Sequence, residues 1–220
     1  MGARRGVVAI VCVAASLFLQ PACFRGTLPP RQFYRLAPVD SSVSAYRATG
    51  APPLTGSIGI RVYDTPGIYG SGSLVYRVGA SAYATYPSRE WAIPLGEMLA
   101  ALTQTIARPR ALTSGRIAFD APSARPEEYE WRGSVIEFDE VDGPTLVSTS
   151  VALSAQLVRI ADDSVLWSGT AREVEPVRQS REIDSVVASL SIAATRAVTR
   201  LADEAASTLR RLAASGARGR

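Results

Sequence analysis

The sequence contains no histidine, and reading along it finds no lysine and no asparagine either. These absences remove whole chemistries. A phosphate-cradling P-loop needs its lysine, and a serine–histidine–aspartate triad needs its imidazole. Cys12 and Cys23 are the only cysteines, so a zinc site of histidines and several cysteines is out of reach. The nucleophile elbow Gly-x-Ser-x-Gly does not occur. The expectation is a protein that is not an enzyme and holds no cofactor or metal, although carboxylate chemistry by itself needs no histidine. Missing lysine and asparagine point to biased codon usage, and the positive balance rests on arginine alone. That balance is small. Arg4 and Arg5 are the only charges before Cys23, and removing them halves the net charge of +4. The other arginines are scattered singly without a basic stripe, so no nucleic-acid partner is expected.

What is present divides at Cys23. Arg4 and Arg5 precede an uncharged apolar run from Gly6 to Leu19. At about 14 residues this run suits a secretory signal and is too short to span a bilayer. Pro21-Ala22-Cys23 follows, a small residue directly before a cysteine, which resembles a bacterial lipobox. Such a cysteine receives diacylglycerol on its thiol and a further acyl chain, such as palmitate, on its new amine. Lipoboxes carry leucine three residues before the cysteine. Here that place is Gln20, and Leu19 stands one residue earlier. The alternative is an ordinary secretory signal cut nearby, leaving Cys23 a free thiol. Cys12 is discarded in either case, so no intrachain disulfide can form. The paired arginines fit folded-protein export poorly, because the apolar run begins at once. Phe24 after the cysteine resembles default sorting to the outer membrane, where several acyl chains on one anchor hold firmly.

The chain of 220 residues, 47% hydrophobic and 20% charged, leaves one globular domain beyond the export segment. Pro29-Pro30 reads as a tether, Gln32 to Leu36 as a short strand, and Pro38 to Gly56 as a linker. Ser57 to Tyr63 alternates with period two, Ile58, Ile60 and Val62 sharing a face. Asp64 to Gly72 must turn. Leu74 to Tyr86 supplies one or two strands ending at Pro87. Leu95, Met98, Leu99, Leu102 and Ile106 form one helical stripe, with Pro94 in the first turn and Pro109 ending it. Ile117 to Phe119 and Tyr129 to Phe138 read as strands. Leu146 to Ile160 and Val165 to Val174 read as a hairpin turning at Asp162-Asp163, with Val and Leu on the core face and Ser, Thr and Gln on the other. The last helix runs from about Ser180 to Ala213. Its near-heptad spacing lets it lie on its own sheet, the commoner case, or on a neighbouring subunit in a homo-oligomer.

Candidate sites are few. Gly67, Gly70 and Gly72 lack the third glycine and the following helix of a dinucleotide fingerprint, so a turn is expected. Glu137, Asp139, Glu140 and Asp142, like Glu127, Glu128 and Glu130, read as solvated charge at strand ends, since the EF-hand pattern is missing. Tyr63, Pro66, Tyr69, Tyr76 and Trp91 mix large contact groups with a glycine-rich turn, and they are the candidate partner-binding residues.

Taken in order, FYRL (Phe33 to Leu36), IRVYDTPGIYGSGSLVYR (Ile60 to Arg77), Trp91 with Pro94-Leu95, VIEFDEVDG (Val135 to Gly143), the hairpin and the final helix resemble the ABC-type transport auxiliary lipoprotein family. That family includes the paraquat-inducible C lipoproteins. The resemblance covers nearly the whole chain after Cys23. It implies an α/β domain of three layers, with a mixed sheet of about five strands, one mid-chain helix and a long C-terminal helix. It also implies an outer-membrane docking component, lipid-anchored at Cys23 on the periplasmic face. Its partner would be the periplasmic Mce-domain protein of a transporter that moves phospholipids between inner and outer membranes. The expected organisation is a signal peptide at 1–22, a lipidated N-terminus with strand and linker at 23–56, the α/β domain at 57–214, and a frayed tail at 215–220. A general assembly lipoprotein serving lipopolysaccharide or outer-membrane protein export is the alternative.

Overall fold

The computed structural model describes residues 30–38, 48, 50–79, 81–119, 126–143, 146–178 and 182–217. The export segment, Cys23 and most of the 39–49 stretch lie outside the described residues, as does the end of the tail, 218–220. Arg31–Arg220 forms one compact unit.

Local sequence explains the mid-chain helix α1 (Leu95–Ala107). Leu95, Met98, Leu99, Leu102 and Ile106 are all buried along one stripe. Pro94 stands just before the first turn, and its carbonyl accepts from the Glu97 and Met98 N–H groups at 3.0 and 3.2 Å. A 3₁₀ turn, Arg108–Arg110, ends the helix at Pro109, whose missing N–H breaks the ladder.

The strands are β1 (Gln32–Tyr34), β2 (Ile58–Ile60), β3 (Ser73–Val78), β4 (Ala82–Trp91), β5 (Ile117–Phe119), β6 (Tyr129–Asp142), β7 (Val147–Arg159) and β8 (Ser164–Pro176). They form one mixed sheet of 8 strands, more than the five or so expected. That smaller number is what the resemblance implies; the short strands β1, β2 and β5 stand where the sequence reads strands, and they are held by parallel pairing with strands distant in sequence. β6 organises the sheet. One edge pairs antiparallel with β7 along its whole length, and β8 continues outward from β7. The other edge is shared: β2 runs parallel beside Tyr129–Trp131 and β3 beside Glu140–Asp142. Between them the chain at Arg61–Asp64 completes the ladder, with Asp64 N–H donating to Gly133 O at 2.9 Å and Val135 N–H to Asp64 O at 2.8 Å.

Two strands run beyond their expected ends. β4 passes through Pro87, because Thr85 and Glu90 pair with β3 while the residues between them have no partner there. Ser88 takes a φ of 59°, and a proline in such an irregular stretch removes no ladder bond on that side. β6 continues past Phe138 to Asp142, so the acidic residues of VIEFDEVDG stand within a strand.

The terminal helix α2 (Ile183–Ala217) lies on β7 and β8 of its own chain and against α1. It includes Ser215, which was expected to fray. Ala193, Ala194, Ala197, Ala202, Ala205 and Ala206 are each at most 1% exposed, and these small side chains let the helix approach the sheet closely. Both helices cover the face that carries Trp131, Val135, Val151, Leu153, Leu157 and Trp167. Of the three layers expected, sheet and helices are complete. On the opposite face the described residues supply only the turn Thr65–Gly72. No described helix is long and apolar enough to cross a membrane.

Candidate functional site

The five residues picked as contact groups do not share a surface. Tyr63 is 2% exposed. Its hydroxyl sits 2.8 Å from the Thr103 hydroxyl and accepts the Trp131 indole N–H at 3.0 Å. Trp131 in turn stacks on Trp167 with ring centroids 5.2 Å apart. Gly133 makes room for this group, since a Cβ there would lie 2.3 Å from the Tyr63 ring. Trp91 is buried and meets Phe138 edge-on at 5.9 Å. Tyr69 is buried as well and donates its hydroxyl to Asp139 at 3.0 Å. These three are corrected from partner contacts to internal packing: each ring found apolar neighbours, and Tyr63, Tyr69 and Trp131 each found a polar partner for the hydroxyl or indole N–H. Tyr76 is half-buried against Tyr86 at 4.8 Å. Pro66 alone of the five is fully exposed. The glycine segment is a 3₁₀ turn, Gly67–Ser71, with Gly67 and Gly72 at φ of 61° and 81°. Left-handed backbone is what glycine permits there.

Some of the acidic residues are likewise corrected, although Asp142 and Glu128 are exposed as expected. Asp139 is 0% and Glu140 5% exposed; they face opposite sides of the sheet, as successive residues of a strand do, and each is covered, Asp139 by Tyr69 and Glu140 by Tyr86. Glu140, on the helix side, accepts the Tyr86 hydroxyl at 2.5 Å. Burial pushes its carboxyl above the usual range, and neighbouring Asp142 pushes it further. On the open side stands a network that sequence reading missed. Arg172 forks onto both oxygens of Glu137 at 2.6 and 2.7 Å, and Ser150 donates to Glu137 at 2.7 Å. Arg77 reaches Asp139 at 3.5 Å and Glu137 at 3.8 Å, while its guanidinium lies 5.7 Å from the Tyr83 ring centre. Burial raises Glu137, but the Ser150 and Arg172 bonds outweigh it and hold the carboxyl below its ordinary value. For Asp139 burial wins, and its carboxyl is raised despite Tyr69 and Arg77. Glu130, also expected to be solvated, is 8% exposed and paired with Arg61 and Arg132.

Beside this network the open face carries a shallow groove of about 450 Å³, lined by Arg132, Gly133, Ser134, Ser154, Ala155, Gln156, Ser168, Gly169 and Thr170. Its polar residues come from three adjacent strands, with Ser154 level with both Ser134 and Thr170. Their alternation with Val and Leu was the visible signal. Asp64 pairs with Ser134 in parallel, and Pro66 and Ile136 are both exposed. No described group of three or more His, Cys, Asp or Glu could hold a metal ion. The arrangement offers hydrogen bonds and two arginines to a surface.

A mixed sheet with helices on one face and a polar, open opposite face defines the class. No protein-family model matches the chain, and no curated protein sequence matches it. Solved structures do. A protein from Xanthomonas campestris of the DUF330 family superposes with a TM-score of 0.66 at 18% identity, over 82% of this chain and 97% of that one. An uncharacterised protein superposes with a TM-score of 0.60 at 11% identity, over 80% and 99%. At such identities the likeness is one of fold.

Proposed function

We propose that this chain is the outer-membrane auxiliary lipoprotein of an Mce-type ABC transporter, a docking component that catalyses nothing itself. The observation that carries the reading is the order of segments along one chain. An apolar export run ends at Cys23, and the strand, glycine turn, helix, hairpin and terminal helix of the resembling lipoprotein family follow. The fold shared with the DUF330 protein supports it. In this reading acyl chains on Cys23 hold the domain on the periplasmic face of the outer membrane. The open face of β6, β7 and β8 receives the periplasmic Mce-domain protein, and ATP is hydrolysed elsewhere in the complex. Polar, hydroxyl-lined surfaces with forked arginines suit a wet, reversible contact.

Two measurements test this. Intact mass of the membrane-extracted protein should begin at Cys23 and carry acyl chains. A photo-cross-linker at Ser154, used in living cells, should capture an Mce-domain protein, whereas one at exposed Leu212 on α2 should not. An unmodified mass would sink the anchor. Absence of any Mce protein at Ser154, under conditions that preserve the complex, would sink the docking role.

A further inference from the structure

We propose that the β1 edge of the sheet is a membrane-contact rim that rests on anionic phospholipid headgroups. The setting of this inference is the lipid anchor proposed above, although its chemistry is read from the folded domain alone.

β1 pairs only with β4 and forms one end of the sheet. Phe33 on it is 61% exposed, and Ile93 just beyond β4 is 39% exposed. Three arginines lie along the same edge. Arg31 and Arg35 are exposed and Arg89 is half-buried. Arg35 and Arg89 make no hydrogen bond or ion pair with any described residue. Arg31 meets Glu90 only at 3.5 Å, with its own side chain 71% exposed. Arg35 also borders a cleft of about 150 Å³ whose apolar wall includes Leu36, Ile93, Met98 and Leu102. Free guanidiniums fork onto phosphate oxygens, and an aromatic ring and a branched aliphatic between them can enter the headgroup layer.

The tether joins the domain at the same edge. Pro30, the first described residue, directly precedes Arg31, and the seven residues back to Cys23 span at most about 25 Å fully extended. The other end of the sheet is β8, reached through β4, β3, β6 and β7. Five strand spacings put it about 24 Å from β1. β1 is thus the strand that follows the tether most directly, and β8 stands at the far end of the sheet from it.

The test uses the chain from residue 23 onward with Cys23→Ser, so that no acyl chain contributes, and phosphatidylcholine vesicles with or without phosphatidylglycerol. At low salt it should sediment with the phosphatidylglycerol vesicles and remain free with pure phosphatidylcholine. Arg35→Ala and Arg89→Ala should each weaken binding about five-fold, and Phe33→Ser should weaken it further. Circular dichroism should show each variant folded as the parent. Arg159→Ala, at the end of β7, should change nothing. Equal binding to both vesicles, no binding to either, or the same loss from Arg159→Ala as from Arg35→Ala would overturn the rim. An unacylated Cys23 in cells, with vesicle binding intact, would remove the anchor and leave the rim standing.

Discussion

The two faces of the β6–β7 hairpin share one backbone and carry opposite chemistry. On the helix side Trp131, Val135, Val151, Leu153 and Leu157 are at most 1% exposed, under an alanine-rich helix. On the open side the same strands present Ser134, Glu137, Ser150, Ser154 and Gln156, with Arg77 and Arg172 reaching in. The difference teaches where energy and where function reside. Burying apolar area stabilises at roughly 25 cal/mol per Å², whereas partly exposed ion pairs contribute little. The helix side therefore holds the fold, and the open side is free to be shaped by a partner.

Substitutions can break or sharpen that contrast. Trp131→Ala should have the largest effect, a loss of about 3–5 kcal/mol in urea unfolding. It empties the centre of the helix side and strips the Tyr63 hydroxyl of its indole donor. Tyr69→Phe comes next, at about 1.5–3 kcal/mol, because a buried carboxylate loses a hydrogen bond. If it costs nothing, the turn over Asp139 is not held by that bond.

The pH dependence sharpens the contrast within the open face. The Asp139 carboxyl is raised by burial, so the folded state takes up a proton there before the unfolded chain does. This group therefore adds stability as pH falls through its folded value. Glu137 and Glu130 are held below their ordinary values, so their stabilisation is present above the ordinary glutamate range and is lost as pH falls through their folded values. Unfolding midpoints measured across mildly acid pH should show Asp139→Asn losing the first contribution and Glu137→Gln losing the second. Ser154→Ala, on the groove floor, should be smallest, within about 0.5 kcal/mol of the parent. A loss comparable to that of Trp131→Ala would mean the open face is structural after all.

Periodicity was legible wherever one element buries one stripe. The Leu95-to-Ile106 stripe, the β7–β8 alternation and the terminal helix all appear close to where their residue patterns place them. β7 and β8 turn at Asp162 and Asp163 as expected, with Ser164 N–H donating to Asp162 at 3.1 Å. The three-residue strands stand where strands were read, but their neighbours could not be read, because the pairing depends on partners far along the chain. β2, for instance, is held between β5 and β6. The candidate surface was half legible. The Ser, Thr and Gln face could be read from alternation, but the fate of each aromatic could not. Tyr63 and Pro66 lie close in sequence, yet one is sealed against Trp131 and the other is open to solvent.

By itself, the sequence determined which runs make helix or hairpin, and that a cysteine follows an apolar segment. These properties depend on residue identity and local spacing, and they survive in any conformation. Only the tertiary structure decided that Asp139 and Glu140 are buried on opposite faces, that Arg77 and Arg172 converge on one carboxylate, and that β1 and β8 stand at opposite ends of the sheet. Those facts depend on which distant strand becomes a neighbour. That choice is made by the whole core packing at once, so no short window of sequence contains it.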